Sequence, residues 1–151
     1  MSKEPVIRFA EKADLPGVVR LCELHAEFEK SEYKKAGKEQ ALSRHLFSEH
    51  PALFCLVAEI DGELVGYATY MKQFSTWDAC FYVYMDCLYL MEACRGYGIG
   101  KKLMERIQQE SRVLNCDLIQ WQTPDFNQRA MLFYDRLGAM RKSKERYFLE
   151  A

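Results

Sequence analysis

Arg95-Gly96-Tyr97-Gly98-Ile99-Gly100 is the stretch on which the fold turns. Before it, Phe81 to Leu90 is rich in aromatics and reads as a long strand. After it, Leu103, Ile107 and Leu114 recur at helical spacing. The order is therefore strand, glycine turn, helix. Glycine lets the backbone turn tightly and bring several N–H groups to one concave surface. The helix N-terminus behind it adds a partial positive charge. Together they suit a phosphate or pyrophosphate, although a plain tight turn would need no ligand. A P-loop is excluded, because Gly100-Lys101 is followed by Lys102 and position 95 is arginine. The dinucleotide fingerprint fails as well: Gly96-x-Gly98 is followed three residues later by Lys101.

Working outward, the spacing predicts elements on both sides. Val6 to Phe9 reads as a first strand, and Asp14 as the N-cap of a helix with Pro16 in its first turn, running to about Phe28. Leu42, Leu46 and Phe47 mark a second helix that ends before Pro51. Phe54 to Ala58 and Leu64 to Met71 are strands joined by the tight pair Asp61-Gly62. Leu118 to Gln122 reads as a strand, Asn127 to Leu137 as a helix closed by Gly138, and Arg146 to Leu149 as a last strand. The expectation is an α/β (α+β) chain with a mixed central sheet of six to seven strands flanked by about four helices. No linker or repeat divides residues 1–151, so a single domain is expected.

The 21 basic and 22 acidic residues leave a net charge of -1, which argues against a general nucleic-acid partner. No stretch approaches the roughly 18–20 apolar residues of a membrane span, and the N-terminus has no apolar signal segment, so a cytoplasmic protein is expected. The six cysteines include no Cys-x-x-Cys and the three histidines show no metal spacing; reduced thiols and no metal are expected. Charge is uneven along the chain. Residues 51–100 hold two basic and six acidic groups, and residues 101–151 hold ten basic and seven acidic. That leaves room for a polyanionic ligand beside a cationic one.

Arg95-x-x-Gly98-x-Gly100 resembles the pyrophosphate signature of the GNAT superfamily of acyl-CoA-dependent N-acyltransferases. Asn127-x-x-Ala130-x-x-Phe133-Tyr134-x-x-Leu137-Gly138 resembles that superfamily's second signature, one helix and one strand later. Within it the chain is most similar to the diamine (spermidine/spermine) acetyltransferases. That similarity rests on Ile7-Arg8-x-Ala10, Asp14, Arg20-Leu21, Glu23-Leu24, Phe28-Glu29, Glu49-His50-Pro51 and Cys55-Leu56-Val57-Ala58-Glu59. The resemblance implies an acetyl-CoA-dependent N-acetyltransferase acting on a primary amine of a small molecule, such as a polyamine, a diamine or an amino acid side chain. It also implies a homodimer. A protein lysine or N-terminal acetyltransferase, or a non-catalytic CoA-binding sensor, would share the fold.

Such chemistry has a proton problem. An alkylammonium with a pKa near 10.4 is neutral in only about one molecule per thousand near neutral pH, a cost of roughly 4 kcal/mol. A carboxylate can attract the cation and take its proton, and a phenol can donate to the departing thiolate. The resemblance makes Tyr134 the candidate acid; helix–sheet packing is its other reading. Asp86 is the candidate base, nine residues before Arg95, where the diamine acetyltransferases carry glutamate. It acts directly, through water or by charge alone, unless it only pairs with an arginine on the sheet face. Buried without a partner in so apolar a strand, Asp86 would be costly.

For the cofactor, the resemblance implies that the backbone at Leu88, Tyr89 and Leu90 pairs with the pantetheine arm. Arg95, Gly96, Tyr97, Gly98, Ile99, Gly100 and Lys101 would hold the pyrophosphate, and Asn127 the arm or a nearby backbone group. Leu88 to Leu90 could equally be core, and Lys101 a solvated helix charge. For the acceptor it implies Phe28, Glu29, Trp77 and Asp78, with Glu27 and Glu32 as possible substitutes; aromatic faces and carboxylates suit a cation. His25, on the apolar face of the first helix, reads as a half-buried core residue.

Overall fold

The structure, a computed structural model, describes residues 4–151. Its sheet has five strands in sequence order: β1 (Val6–Phe9), β2 (Phe54–Ile60), β3 (Glu63–Ser75), β4 (Cys80–Leu90) and β5 (Ile119–Gln120). The first four pair antiparallel, whereas β5 lies parallel to β4. Four helices flank the sheet: α1 (Leu15–Phe28), α2 (Lys38–Leu46), α3 (Ile99–Val113) and α4 (Gln128–Arg136). The mixed α/β class is the expected one.

Local chemistry explains most of these boundaries. Asp61 and Gly62 both have positive φ, 53° and 80°, the backbone that a two-residue hairpin loop demands. Asp14 stands at the N-cap of α1, but its carboxylate does not cap the helix. It binds Arg8 at 2.7 Å and accepts the Glu11 N–H, tying β1 to the helix start. Gly138, with φ 88°, follows the last turn of α4, and its N–H donates to the Asp135 carbonyl.

Consecutive apolar residues of β2 and β3 point to opposite faces of the sheet and so build two cores, one on each face. One core packs Leu56, Ala68, Tyr70, Val83 and Met85 against Ile99, Leu103 and Ile107 of α3. The other packs Cys55, Val57, Tyr67 and Tyr89 against Val18 and Leu21 of α1. Both faces of β2 are therefore buried, which is why Cys55–Ala58 reads as an unbroken apolar run.

Three expectations are corrected. Residues 146–149 form no strand; Tyr147, Phe148 and Leu149 are 89%, 81% and 98% exposed. Leu118 to Gln122 contracts to the two residues of β5. The strand count is therefore five among the described residues, below the expected six to seven. The causes are linked. Strand propensity expresses itself only against a partner edge, and two residues of β5 offer the C-terminal segment very little of one. All six cysteines are free thiols. Among the described residues no helix is long and apolar enough to cross a membrane.

Candidate active site

Two irregularities in β4 shape the site. Thr69 faces Cys87 while Tyr70 faces Met85, so Asp86 is an extra residue: a β-bulge. A bulge re-aims a side chain, and Asp86 is exposed rather than buried. The burial cost expected for it does not arise. Its Oδ2 lies 3.8 Å from the Cys87 Sγ rather than against an arginine. Burial and the nearby Asp86 carboxylate push the Cys87 thiol up to about 11, so it stays protonated and can donate to Asp86. The second irregularity is where β5 stops. It matches β4 only at Val83–Ile119 and Tyr84–Gln120. From Met85 to Leu90 the other edge of β4 has no strand partner among the described residues, and its backbone groups are open to an extended ligand. Leu88 and Leu90 turn side chains toward the α3 core, while Tyr89 turns into the α1 core.

The glycine turn follows at once. Gly96 and Gly98 have φ of 87° and 83°, and a Cβ on either would meet nothing within 4 Å. The conformation is the left-handed one that glycine favours, and the space above it is open. The first intrahelical bond of α3 runs from the Lys102 N–H to the Gly98 carbonyl, so the amides of Ile99, Gly100 and Lys101 precede the ladder. These features fit a pyrophosphate. Gly100 has a different role. A Cβ there would sit 3.3 Å from Phe133 Cζ, so its absence lets α4 pack onto the start of α3.

Arg95 faces inward. Its Nε donates to the Leu90 carbonyl at 2.9 Å, and its guanidinium lies 4.5 Å from the Phe28 ring centroid and 5.5 Å from that of Tyr89. It therefore braces the turn against β4 and the end of α1. Tyr97 is 57% exposed at the tip. Lys101 reaches Glu105 at 4.0 Å, and Lys102 is hydrogen-bonded to Glu4. Asn127 caps α4, its Oδ1 accepting the Ala130 N–H at 3.2 Å.

Tyr134 lies one residue beyond Phe133 on α4, with Trp121 edge-on at 5.1 Å. Burial, reinforced by the Glu29 carboxylate, pushes its phenol up to about 12. Glu29 is thus near enough to Tyr134 for its charge to be felt there. Phe28 and Glu29 stand at the C-terminal end of α1. Lys30 bridges from there to the loop before α4, with its ammonium 4.6 Å from the Phe126 ring centroid. Phe28, Lys30, Arg95, Phe126 and Asn127 line one cleft.

Trp77 and Asp78 are not brought to this place. They sit in the β3–β4 turn, with Trp77 96% exposed and Asp78 bonded to Ser75. From Cys80 to Asp86, six residues of strand at roughly 3.3 Å each put about 20 Å between that turn and the bulge. Glu27 and Glu32 are exposed. The sequence reading left Tyr67, Trp121 and Phe126 out of the site and put His25 in the core. His25 is half-buried as expected, yet it bonds Glu29 four residues on, and that i,i+4 spacing was the signal available.

A sequence model described as the acetyltransferase (GNAT) family matches residues 18–139. The chain belongs to the GNAT acetyltransferase family. This GNAT protein is 35% identical over 141 residues to a thialysine N-epsilon-acetyltransferase of Mus musculus, an alignment covering 88% of the chain and 82% of the relative. It is 29% identical over 146 residues to a spermidine/spermine N(1)-acetyltransferase-like protein 1 of Homo sapiens, covering 92% of this chain and 21% of that one. The aminoglycoside N-acetyltransferase AAC(6')-Iy, solved in complex with CoA, superposes with a TM-score of 0.84 at 16% identity, covering 99% of this chain and 97% of that one, and shares its fold. By family and by its named relatives, this GNAT protein is an N-acetyltransferase.

Proposed function

We propose that residues 1–151 form one acetyltransferase domain that moves the acetyl group of acetyl-CoA to a primary amine on a small molecule: a polyamine, a diamine or an amino acid with a side-chain amine. The observation that supports this reading is a carboxylate, Glu29, at the end of α1, whose charge reaches the buried phenol of Tyr134 on α4. A cationic nucleophile and a departing thiolate need groups of those two kinds.

Acetyl-CoA supplies an activated thioester. The open edge of β4 at Leu88, Tyr89 and Leu90 receives its extended arm, and the turn from Arg95 to Lys101 receives its pyrophosphate. Asn127 fixes the first turn of α4 and thereby Tyr134. Phe28 and Glu29 receive the ammonium. Asp86, exposed on its bulge, draws in the cation and takes up its proton, directly or through water. Tyr134 donates to the leaving sulfur. Trp77 and Asp78 have no part in this site within one chain. Relatives of this chain carry names that specify an amino acid side-chain amine or a polyamine, which agrees with this acceptor class. The test is amine-dependent thiol release from acetyl-CoA across a panel of small amines. Turnover of a lysine-bearing peptide alone would point to a protein acceptor, and no turnover at all to a sensor.

We also propose a cytoplasmic homodimer. Free thiols throughout suit a reducing compartment. Tyr147, Phe148 and Leu149 expose apolar side chains that a second copy would cover. Replacing Tyr147 and Phe148 together by serine should convert a dimer to a monomer in size-exclusion chromatography with light scattering. A wild-type chain that is already monomeric would refute the dimer, as would a double variant that stays dimeric.

A further inference from the structure

His25 occupies an unusual position for a helix-face residue. Its Nδ1 lies 2.8 Å from the Tyr67 hydroxyl on β3, and its Nε2 lies 2.6 Å from Oε2 of Glu29. Its ring stacks on Tyr89 at 5.2 Å and meets Tyr67 edge-on at 5.8 Å. Both nitrogens are engaged and one face of the ring is stacked on Tyr89, so its orientation is fixed.

The chemistry of the partners assigns the protons. An ionised carboxylate only accepts, so Nε2 carries a hydrogen and donates it to Glu29. In the neutral imidazole Nδ1 then has no hydrogen and accepts from the Tyr67 hydroxyl. Tyr67 is 1% exposed and lies in the α1 core, so this anchor belongs to the rigid part of the fold. Burial raises the Tyr67 phenol far above its usual range, which keeps it a neutral donor.

Glu29 needs such an anchor. It follows the last residue of α1, where helix ends fray, and its long side chain is otherwise free to sample many rotamers. A binding carboxylate that must first be ordered binds less well than one already held.

We propose that His25 is a positioning residue for the acceptor: anchored by Tyr67, it holds Oε2 of Glu29 and leaves Oε1 to receive the ammonium beside Tyr134. This rests on the reading above, in which Glu29 receives the amine. The tyrosine–histidine–carboxylate chain would thus select for a cationic acceptor, although His25 never touches it.

The test uses the full chain with four variants: His25→Leu, His25→Gln, Glu29→Gln and the double His25→Leu/Glu29→Gln. The expected result is a loss of about tenfold in kcat/KM for the amine in His25→Leu, carried by the amine KM. The acetyl-CoA KM should stay within about twofold of wild type. His25→Gln, which keeps an N–H donor, should recover most of the loss. The double variant should be no worse than Glu29→Gln alone, because the two residues act as one unit. Multiplying losses would overturn the proposal, and so would a defect that falls on acetyl-CoA.

A second readout separates this inference from the reading beneath it. The ¹⁵N spectrum of the imidazole, assigned by its absence in His25→Gln, should show the proton on Nε2, and that preference should weaken in Glu29→Gln. If the preference is present but Glu29→Gln turns over amine like wild type, the acceptor role of Glu29 fails and the proposal falls with it. If Glu29→Gln is impaired but the preference is absent, only the positioning role of His25 is refuted.

Discussion

Replacing Tyr134 by phenylalanine should lower kcat about a hundredfold while leaving the acetyl-CoA KM within a few-fold. Phenylalanine keeps the ring against Trp121 and Phe133, so packing survives and only the hydroxyl is lost. The size of the effect follows from acidity. Burial and Glu29 push the Tyr134 phenol up to about 12, whereas a thiol sits near 8.5. Full proton transfer from that phenol to a thiolate is uphill. In the proposed role Tyr134 would therefore work chiefly as a hydrogen-bond donor to the charge that develops on sulfur. Losing one such donor in a desolvated site typically costs about 10²–10³ in kcat. The pH dependence has a definite sign. A raised phenol pKa means the neutral donor persists above pH 10 and is lost only as pH approaches 12. Wild-type kcat should show no alkaline loss from this group below about pH 10. A Tyr134→Phe chain turning over at the wild-type rate would refute the assignment.

The second large effect concerns the glycine turn. Gly98→Asp should weaken CoA binding about thirtyfold to a hundredfold by calorimetry, and Gly98→Asn only several-fold. Both residues tolerate the left-handed region better than most, and open space surrounds the position. The pair therefore shares backbone strain and differs in charge. An aspartate would set a carboxylate against a pyrophosphate at the N-terminus of α3, where the local field should favour the anion. Charge-assisted hydrogen bonds worth about 1.5–3 kcal/mol would be opposed, which sets the scale. The difference should shrink as salt rises. Equal affinity in both variants would mean that no phosphate is held at this turn.

Much of this was legible in the sequence because the controlling interactions are local. Asp61-Gly62 dictates its hairpin through two positive φ angles, and Leu103 with Ile107 dictates the buried stripe of α3. The two signatures placed the turn at Arg95–Gly100 and the start of α4, since each depends on short-range geometry. What was not legible depends on partners distant in the chain. The bulge at Asp86 exists only relative to Thr69 and Tyr70, so nothing in residues 80–90 announced that the carboxylate would turn outward. Arg95 carries the family pattern but spends its side chain on Leu90, Phe28 and Tyr89. His25 looked like core because its helical face is apolar, and the hydroxyl that orients it comes from Tyr67, forty-two residues away. Residues 146–149 had strand composition without an edge to join. Trp77 and Asp78 failed for a related reason: β4 is long enough to carry the turn before it well away from the bulge.

The central claim is that this fold transfers acetyl groups to small amines. Its most direct test incubates the purified chain with acetyl-CoA and a panel spanning polyamines, diamines and side-chain amines of amino acids. Free thiol and acetylated amine are then followed together. The account predicts amine-dependent thiol release with one N-acetylated product per thiol for at least one cationic small amine. Tight CoA binding with no acetylated product from any small amine would contradict it.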